Sequence, residues 1–443
     1  MTHKVRRQPQ QLGPAGWNAI LEPQPAPIRL EDHLTADFLV IGAGFAGLSA
    51  ARRLAQLAPG ARVIVLEAGR IAQGAAGRNS GFMIDLPHDL QSEDYAGAGD
   101  ETRQISMNRQ AIAFAGEAVE EYGINPAYFD HSGKVNGAAS KRAHDHNLTY
   151  ARHLSRLGEE CEALDAQAMH TLTGSRHYRS GLYCPGTVTL QPAGYIRGLA
   201  KGLSQAGTRI FEQSGVVRLE RKGPDWQAYT QSASVTAPKV ITAVNGHLES
   251  FGFARGRLMQ IFLYAVMTPE LDPEMLGQLG GAPRWGITPS DPMGTTVRRI
   301  DTAQGGNRII TRTCASLRQD MRPRETDLKR AARTMRRKFD ARFPQLAGLK
   351  MSHAWAGHLC LSLNGASVTG RLEDGLYSAC VQNGLGTARG TLTGMACAEM
   401  ACGQQTGLTR HFGTEPPPKR LPPFSNIGVN AVLRLREWKA SEE

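Results

Sequence analysis

Three glycine-centred stretches hold residue types that could do chemistry. In the first, Gly42-Ala43-Gly44-Phe45-Ala46-Gly47, the glycines have GxGxxG spacing. They permit a tight turn, close backbone approach to a pyrophosphate, and close packing of a helix on a strand. The phosphate then sits at the helix N-terminus, where amides and the peptide dipole favour negative charge. Glu67 follows at the distance where a carboxylate accepts ribose hydroxyls, and it would repel the extra phosphate of NADP. That leaves NAD or FAD.

The second stretch runs "AGRIAQGAAGRNSGFM", from Ala68 to Met83. An NAD-binding unit usually continues with alternating strands and helices, whereas this chain gives a glycine-rich run. Gly74, Ala76 and Gly81 let backbone pass beside a flat ligand. Arg70, Arg78, Asn79 and Ser80 offer donors to phosphate, ribitol or ring carbonyls. Met83 begins the wall of a pocket. The third stretch, Asn383-Gly384-Leu385-Gly386-Thr387-Ala388, lies between an apolar run and a helical pattern. A helix N-terminus there could present amides to an electron-rich ring edge. Two such loops at opposite ends of the chain imply one ligand spanned by both.

Substrate-binding candidates are fewer. Arg298 and Arg299 lie in "TTVRRI", on an expected strand, so alternation lets only one of them face a bound ring. A bidentate arginine suits a substrate carboxylate. His358 in "WAGHLCL" is a second candidate, and His88 a weaker one. No residue is assigned as a catalytic base. The seven cysteines are dispersed without a CxxC pair, and the histidines show no metal-ligand spacing, so no metal site is expected.

The elements that must position these residues follow from hydrophobic pattern. Residues 36–44 read as a buried strand, 45–60 as a helix and 61–69 as a second strand, together a βαβ unit. Helices are expected over 100–123, 140–158, 190–207, 325–343 and 387–403. Strands are expected in "TRIFEQSGVVRLER", "WQAYTQ" and "SVTAPKVITAVNG", over 258–268, as a glycine-turned pair over 295–313, and in "HAWAGHLCLSLN" and "GLYSACVQNG". Residues 1–35 read as a surface arm with Trp17 as an anchor. The tail 411–443 is proline-rich and then basic.

Composition bounds the reading. With 443 residues, 41% hydrophobic and 21% charged, the chain is ordinary for a globular protein of more than one domain. The net charge of +11 has no concentrated basic and aromatic stripe, so no nucleic acid is expected. No apolar run approaches a membrane span. The dispersed thiols and the absence of an apolar leader point to a cytoplasmic protein.

At this level the chain resembles a family. "VIGAGFAGLSAARRLA…VIVLEAGRIAQGAAGRNSGFM", "LQPAGYIRGLAKGLSQAGTRIFEQSGVVRLER", "KVITAVNGH" and "WAGHLCLSLNGASVTGRLEDGLYSACVQNGLGTARGTLTGMACAEMACG" are similar in order and spacing to the D-amino-acid oxidase, glycine oxidase and sarcosine oxidase family. Within it, RNSG and the arm look most like gamma-glutamylputrescine oxidase and its relatives. The resemblance implies an α/β fold with a discontinuous Rossmann-like FAD-binding domain from 36–85, 190–250 and 350–410. A mixed-sheet α+β substrate domain would come from 86–189 and 251–349. It implies that Gly42, Gly44 and Gly47 hold the pyrophosphate and Glu67 the ribose, with Arg78 to Gly81 along the flavin. Val217 would meet adenine through its backbone, Asn245-Gly246 would pass the adenosine side, and Gly384 to Ala388 would hold the pyrimidine edge. Some members attach FAD covalently near Cys360, but that residue is offset from the position, so non-covalent FAD is expected.

The implied activity is oxidation of the C–N bond of an amino acid, N-substituted amino acid or polyamine derivative. Hydride passes to flavin, the imine hydrolyses, and O2 is the acceptor. Two alternatives are a dehydrogenase feeding quinone or a carrier protein, and an RNA-modifying flavoprotein.

Overall fold

The computed structural model describes residues 1–87, 100–291, 293–422 and 425–443, so His88 lies outside the described residues. A six-stranded sheet forms its first layer. Its order is Arg209–Phe211, Val63–Leu66, Phe38–Ile41, Lys239–Thr242, Leu376–Cys380, Val368–Glu373, parallel except for the last pair. The central strands FLVI and VIVL are apolar throughout because both faces are covered. On one face Val40, Val65 and Ile241 pack against helices Phe45–Leu57 and Ala388–Ala401. On the other, Leu39, Ile64 and Val240 pack against a five-stranded sheet through Leu219, Trp226 and Val235.

Glycine sets the closest approaches. A Cβ at Gly47 would lie 1.8 Å from Gly42 O, and one at Gly394 would lie 2.1 Å from Ala46 O, so turn, helix and neighbouring helix meet backbone to backbone.

An eight-stranded mixed sheet faces this half, in the order His353–Ser362, Leu258–Met267, Arg308–Leu317, Thr296–Ile300, Trp285–Pro289, Lys134–Ala138, Ser180–Cys184, Glu162–Leu164. Helix Glu325–Arg342 seals one side through Leu328, Ala331 and Met335 against Phe262, Tyr264 and Val266. A small sheet of Phe82–Met83, Val188–Leu190 and Phe129–Asp130 joins the halves. Among the described residues, no helix is long and apolar enough to cross a membrane.

Several sequence expectations are corrected. The stretch 208–246 forms five strands rather than three, divided between two sheets. Pro238 separates Ser234–Ala237 from Lys239–Thr242; it has no N–H to donate, and the ladder passes from one sheet to the other there. Strand His353–Ser362 is the edge of the eight-stranded sheet. The tail contains helix Ser425–Lys439, whose Val429 and Leu433 pack on Ile261 and Leu317. Residues 1–35 run largely exposed over the surface with Trp17 as their anchor, but they are also tied into the five-stranded sheet at both ends. Thr2–Lys4 pairs with Arg218–Lys222, His33–Thr35 pairs with Ser234–Ala237, and Trp17 is fully buried.

The packing around Gly394 gives a direct test. Gly394→Ala should destabilise the protein by about 2–4 kcal/mol, because backbone must separate to admit one methyl. The urea midpoint checks this.

Candidate active site

A cavity of about 1060 Å3 runs between the two halves, at the upper end of the usual range for ligand sites. Gly42 to Ala46, Glu67 to Arg70, Gly74 to Ala76, Arg78 to Ser80, and Gly384 to Thr387 all line it. The glycine loops from opposite ends of the chain therefore share one space.

Two helices point their N-termini into that space. Gly44 precedes helix Phe45–Leu57, and Thr387 precedes helix Ala388–Ala401; neither supplies a side-chain cap. Thr387 instead donates its hydroxyl to Phe82 O at 2.7 Å. The first helix end thus keeps its first-turn amides for a ligand, whereas in the second Arg389 N already donates to Leu385 O at 2.9 Å; the dipoles of both favour an anionic ligand. A Cβ at Gly44 would meet only Ala76 Cβ, at 3.7 Å, and nothing lies near one at Gly386. An extended dinucleotide fits this pair of open cradles.

Glu67 reaches back to the first turn. Its two oxygens accept from Ala43 N and Gly69 N, each at 2.9 Å. Burial pushes its carboxyl up, against the pull of those amides. Arg70 also lines the cavity, with its Nε donating to Glu212 Oε1 at 3.1 Å.

The RNSG donors are engaged differently from expectation. Arg78 is 7% exposed, and four of its N–H groups go to backbone carbonyls. Nε donates to Gln73 O (2.6 Å), Nη1 to Leu12 O (3.0 Å) and Ala356 O (2.9 Å), and Nη2 to Gly13 O (2.9 Å). Burial lowers it to about 10, so it stays charged at neutral pH. Asn79 closes its own turn, donating to Ala76 O and accepting from Gly81 N. These donors shape the loop from within, although Arg78, Asn79 and Ser80 also line the cavity. Gly81, at φ +71, is the pivot: a Cβ there would meet Leu190 O at 2.4 Å.

Arg298 explains that crowding. It lies fully buried behind Gly81, with Nη1 on Gly81 O (2.5 Å) and Leu190 O (3.2 Å), close to the rings of Phe82 and Trp17. Alternation sends Arg299 to the opposite side with Val297, where it donates to Gly280 O. Neither arginine lines the cavity, which corrects both as substrate anchors. Met83 is corrected for the same reason of parity. Phe82 and Ile84 line the cavity, whereas Met83 is turned into the core, fully buried.

Val217 lines the cavity, but its N–H already donates to Tyr229 O and its carbonyl accepts from Val5 N. Asn245 sits at φ +47 and its Oδ1 accepts from Val381 N. Gly246 does not line the cavity; it makes room for Gln260 and His358, which a Cβ would meet at 2.4 and 2.9 Å. Ala388 lies just behind the open helix end. Cys360 is buried beside Gly246, and burial pushes its thiol well up, against thiolate chemistry.

His358 lines the cavity, stacked on Phe262 at 5.1 Å and edge-on to His247 at 5.3 Å. Its Nε2 meets Gln260 Oε1 at 2.9 Å. Gln260 Nε2 donates to Glu249 Oε2 (2.9 Å) and Gly246 O (3.2 Å), so Oε1 must accept. That assigns the proton of His358 to Nε2 and leaves Nδ1 as an acceptor. Burial drops His358 to about 3 and His247 to about 4.

Sequence reading missed two groups. One is Arg312, which lines the cavity from strand Arg308–Leu317, opposite Thr296 and Ala265. Its face is that of Arg298, but the cross-strand register that brings it to the cavity is not written in either strand alone. The other is the segment Arg7 to Gln11, which had no periodicity to mark it.

With this geometry in view, comparison with known proteins is decisive. The family model "DAO: FAD dependent oxidoreductase" matches residues 37–400. The chain belongs to this DAO family. It is thus an FAD-dependent oxidoreductase, and the open cradles at Gly44 and Gly386 fit that cofactor. It is 27% identical over 392 residues to the probable oxidoreductase OrdL of Haemophilus influenzae, covering 86% of each chain. To the gamma-glutamylputrescine oxidoreductase of Escherichia coli it is 26% identical over 400 residues, covering 84% of this chain and 85% of that one. The fold is that of glycine oxidase from Geobacillus kaustophilus, with a TM-score of 0.68, 17% identity, and coverage of 84% of this chain and 96% of that one.

The two cavity histidines make a pH prediction. Their folded values lie below the ordinary 6.5, so as pH falls the unfolded chain takes up protons first. Stability present above about pH 6.5 should be lost progressively toward pH 4, with each imidazole contributing about 1–2 kcal/mol by pH 5. Chemical denaturation across that range should be flatter for the His247→Gln/His358→Gln variant than for the unsubstituted protein.

Proposed function

We propose that the protein oxidises the C–N bond of an amino acid, an N-substituted amino acid or a polyamine derivative, with O2 as acceptor. The observation that carries this reading is the composition of the cavity wall beyond the RNSG segment. Leu263, Ala265 and Leu359 are apolar, and Arg312 brings a cation among them. Such a wall suits a small molecule with one anionic group and an otherwise uncharged reacting end. The name of the Escherichia coli relative, a gamma-glutamylputrescine oxidoreductase, supports a substrate that carries both amine and carboxylate.

Bound FAD supplies the hydride-accepting ring; the chain supplies position and protonation. In this proposal the segments 36–85, 190–250 and 350–410 form the cofactor half, with strand His353–Ser362 extending into the large sheet of the substrate half formed by 86–189 and 251–349. Gly42, Gly44 and Gly47 serve the pyrophosphate, Glu67 the ribose, and Gly384 to Thr387 the ring edge. FAD is held non-covalently, since Cys360 is packed against Gly246 as a protonated thiol. Arg312 holds the substrate carboxylate. His358, neutral and fixed with Nδ1 as acceptor, takes a hydrogen bond without adding charge. The substrate amine must be neutral to react, and removal from water between apolar walls favours that form. Water admitted after oxidation hydrolyses the imine.

An anaerobic screen of amines and amino acids, following loss of bound-flavin absorbance, tests the reading. At least one carboxylate-bearing amine should reduce the flavin, and reoxidation in air should yield hydrogen peroxide. A holoenzyme that no such compound reduces would sink the proposal. With a carboxylate-bearing substrate, Arg312→Ala should raise KM about 100-fold, the worth of a charge-assisted pair. Arg299→Ala should leave KM unchanged.

A further inference from the structure

The N-terminal residues cross the cavity between two anchors. At the first, Val5 N donates to Val217 O (2.9 Å), Arg6 N to Ser250 O (3.1 Å), and Gln8 Nε2 to Val216 O (2.7 Å). At the second, Leu12 O accepts from Ala356 N (3.0 Å), and the carbonyls of Leu12 and Gly13 accept from Arg78. Gly13 takes φ +71, and a Cβ there would lie 2.1 Å from Ala354 O. Between the anchors, Arg7, Gln8, Pro9, Gln10 and Gln11 have one side toward the cavity and the other toward solvent. Beyond the second anchor the chain plunges to Trp17, whose Nε1 donates to Asn79 O at 2.9 Å.

We propose that residues 5–13 are a strap closed over the bound FAD, and that Arg78 is its buckle. The strap is pinned at one end to the loop residues Val216 and Val217, just before strand Arg218–Lys222, and at the other to the RNSG loop, the two places expected to border the adenosine and flavin ends of the cofactor. It rests on the reading of this cavity as the FAD site. Arg78 is then a positioning residue: its guanidinium joins the strap, the loop and the edge strand through carbonyls alone. Among the described residues it has no carboxylate partner, so its charge also favours an anionic dinucleotide beneath the strap. Arg7 and three glutamines place further donors over the same stretch of cavity. FAD leaves when the strap lifts, so cofactor release is governed by residues that the GxGxxG loop does not include.

Two measurements on the intact protein test this. The first is limited trypsin digestion with and without saturating FAD. Cleavage after Arg6 and Arg7 should slow by about tenfold or more in the holoprotein, with cleavage at Lys419 and Arg420 unchanged as the internal control. Equal rates at Arg6 and Arg7 in both states would overturn the strap. The second is FAD release, followed by recovery of flavin fluorescence on dilution. Gly13→Ala, which alters strap docking without lining the cavity, should speed release by about tenfold, and Arg78→Lys by at least as much. If Arg78→Lys speeds release and Gly13→Ala does not, Arg78 acts on the cofactor directly and the buckle is wrong. Should either variant fold poorly, the trypsin comparison on the unsubstituted protein decides. Failure of the unsubstituted protein to bind FAD at all would instead remove the cofactor site itself.

Discussion

The buried guanidinium of Arg78 is the interaction on which the site depends. A charged group taken out of water must find hydrogen-bond partners, and here they are four carbonyls from three separated stretches of chain. The desolvation cost is met only when all three are in place. The guanidinium therefore holds the N-terminal segment, the glycine loop and the edge of the large sheet in one arrangement. Deeper in the molecule Arg298 has a parallel role, joining Gly81 to Leu190. Two arginines that look like ligand-binding residues thus act first as joints of the backbone.

Their partners decide the electrostatics as well. Carbonyls satisfy N–H donors without cancelling charge, so both cations add to the field of the two uncapped helix ends. Glu67 is the counterweight, tied by Ala43 and Gly69 at the turn itself. Among the described residues the cavity is lined by more arginines than carboxylates, the latter being Glu31 and Glu67. His247 and His358 add polarity without charge at neutral pH, because burial holds them unprotonated.

The local features of this design were legible in the sequence. Gly42 to Ala46, Glu67 and Gly384 to Thr387 line one cavity, and their glycine spacing is something a sequence displays. Met83 was misplaced by one residue of strand parity, a distinction lost when a two-residue strand has no pattern around it. Arg298 and Arg299 drew attention as an adjacent pair, but the arginine of that sheet that lines the cavity is Arg312. Its place comes from cross-strand register with Thr296. The role of Arg78 lay furthest from view, since one of its acceptors, Ala356, is 278 residues away. The N-terminal segment had neither period nor helix signal, and its order comes wholly from partners elsewhere.

That segment also has a place in time. Thr2–Lys4 can pair only once residues 218–222 exist, and Leu12 cannot join the sheet edge before Ala356 has been made. These residues are made long before their partners and are therefore among the last to find their places. Contacts so distant in sequence are entropically costly to close and form late. Until they form, residues 7–11 are missing from the wall of the cavity.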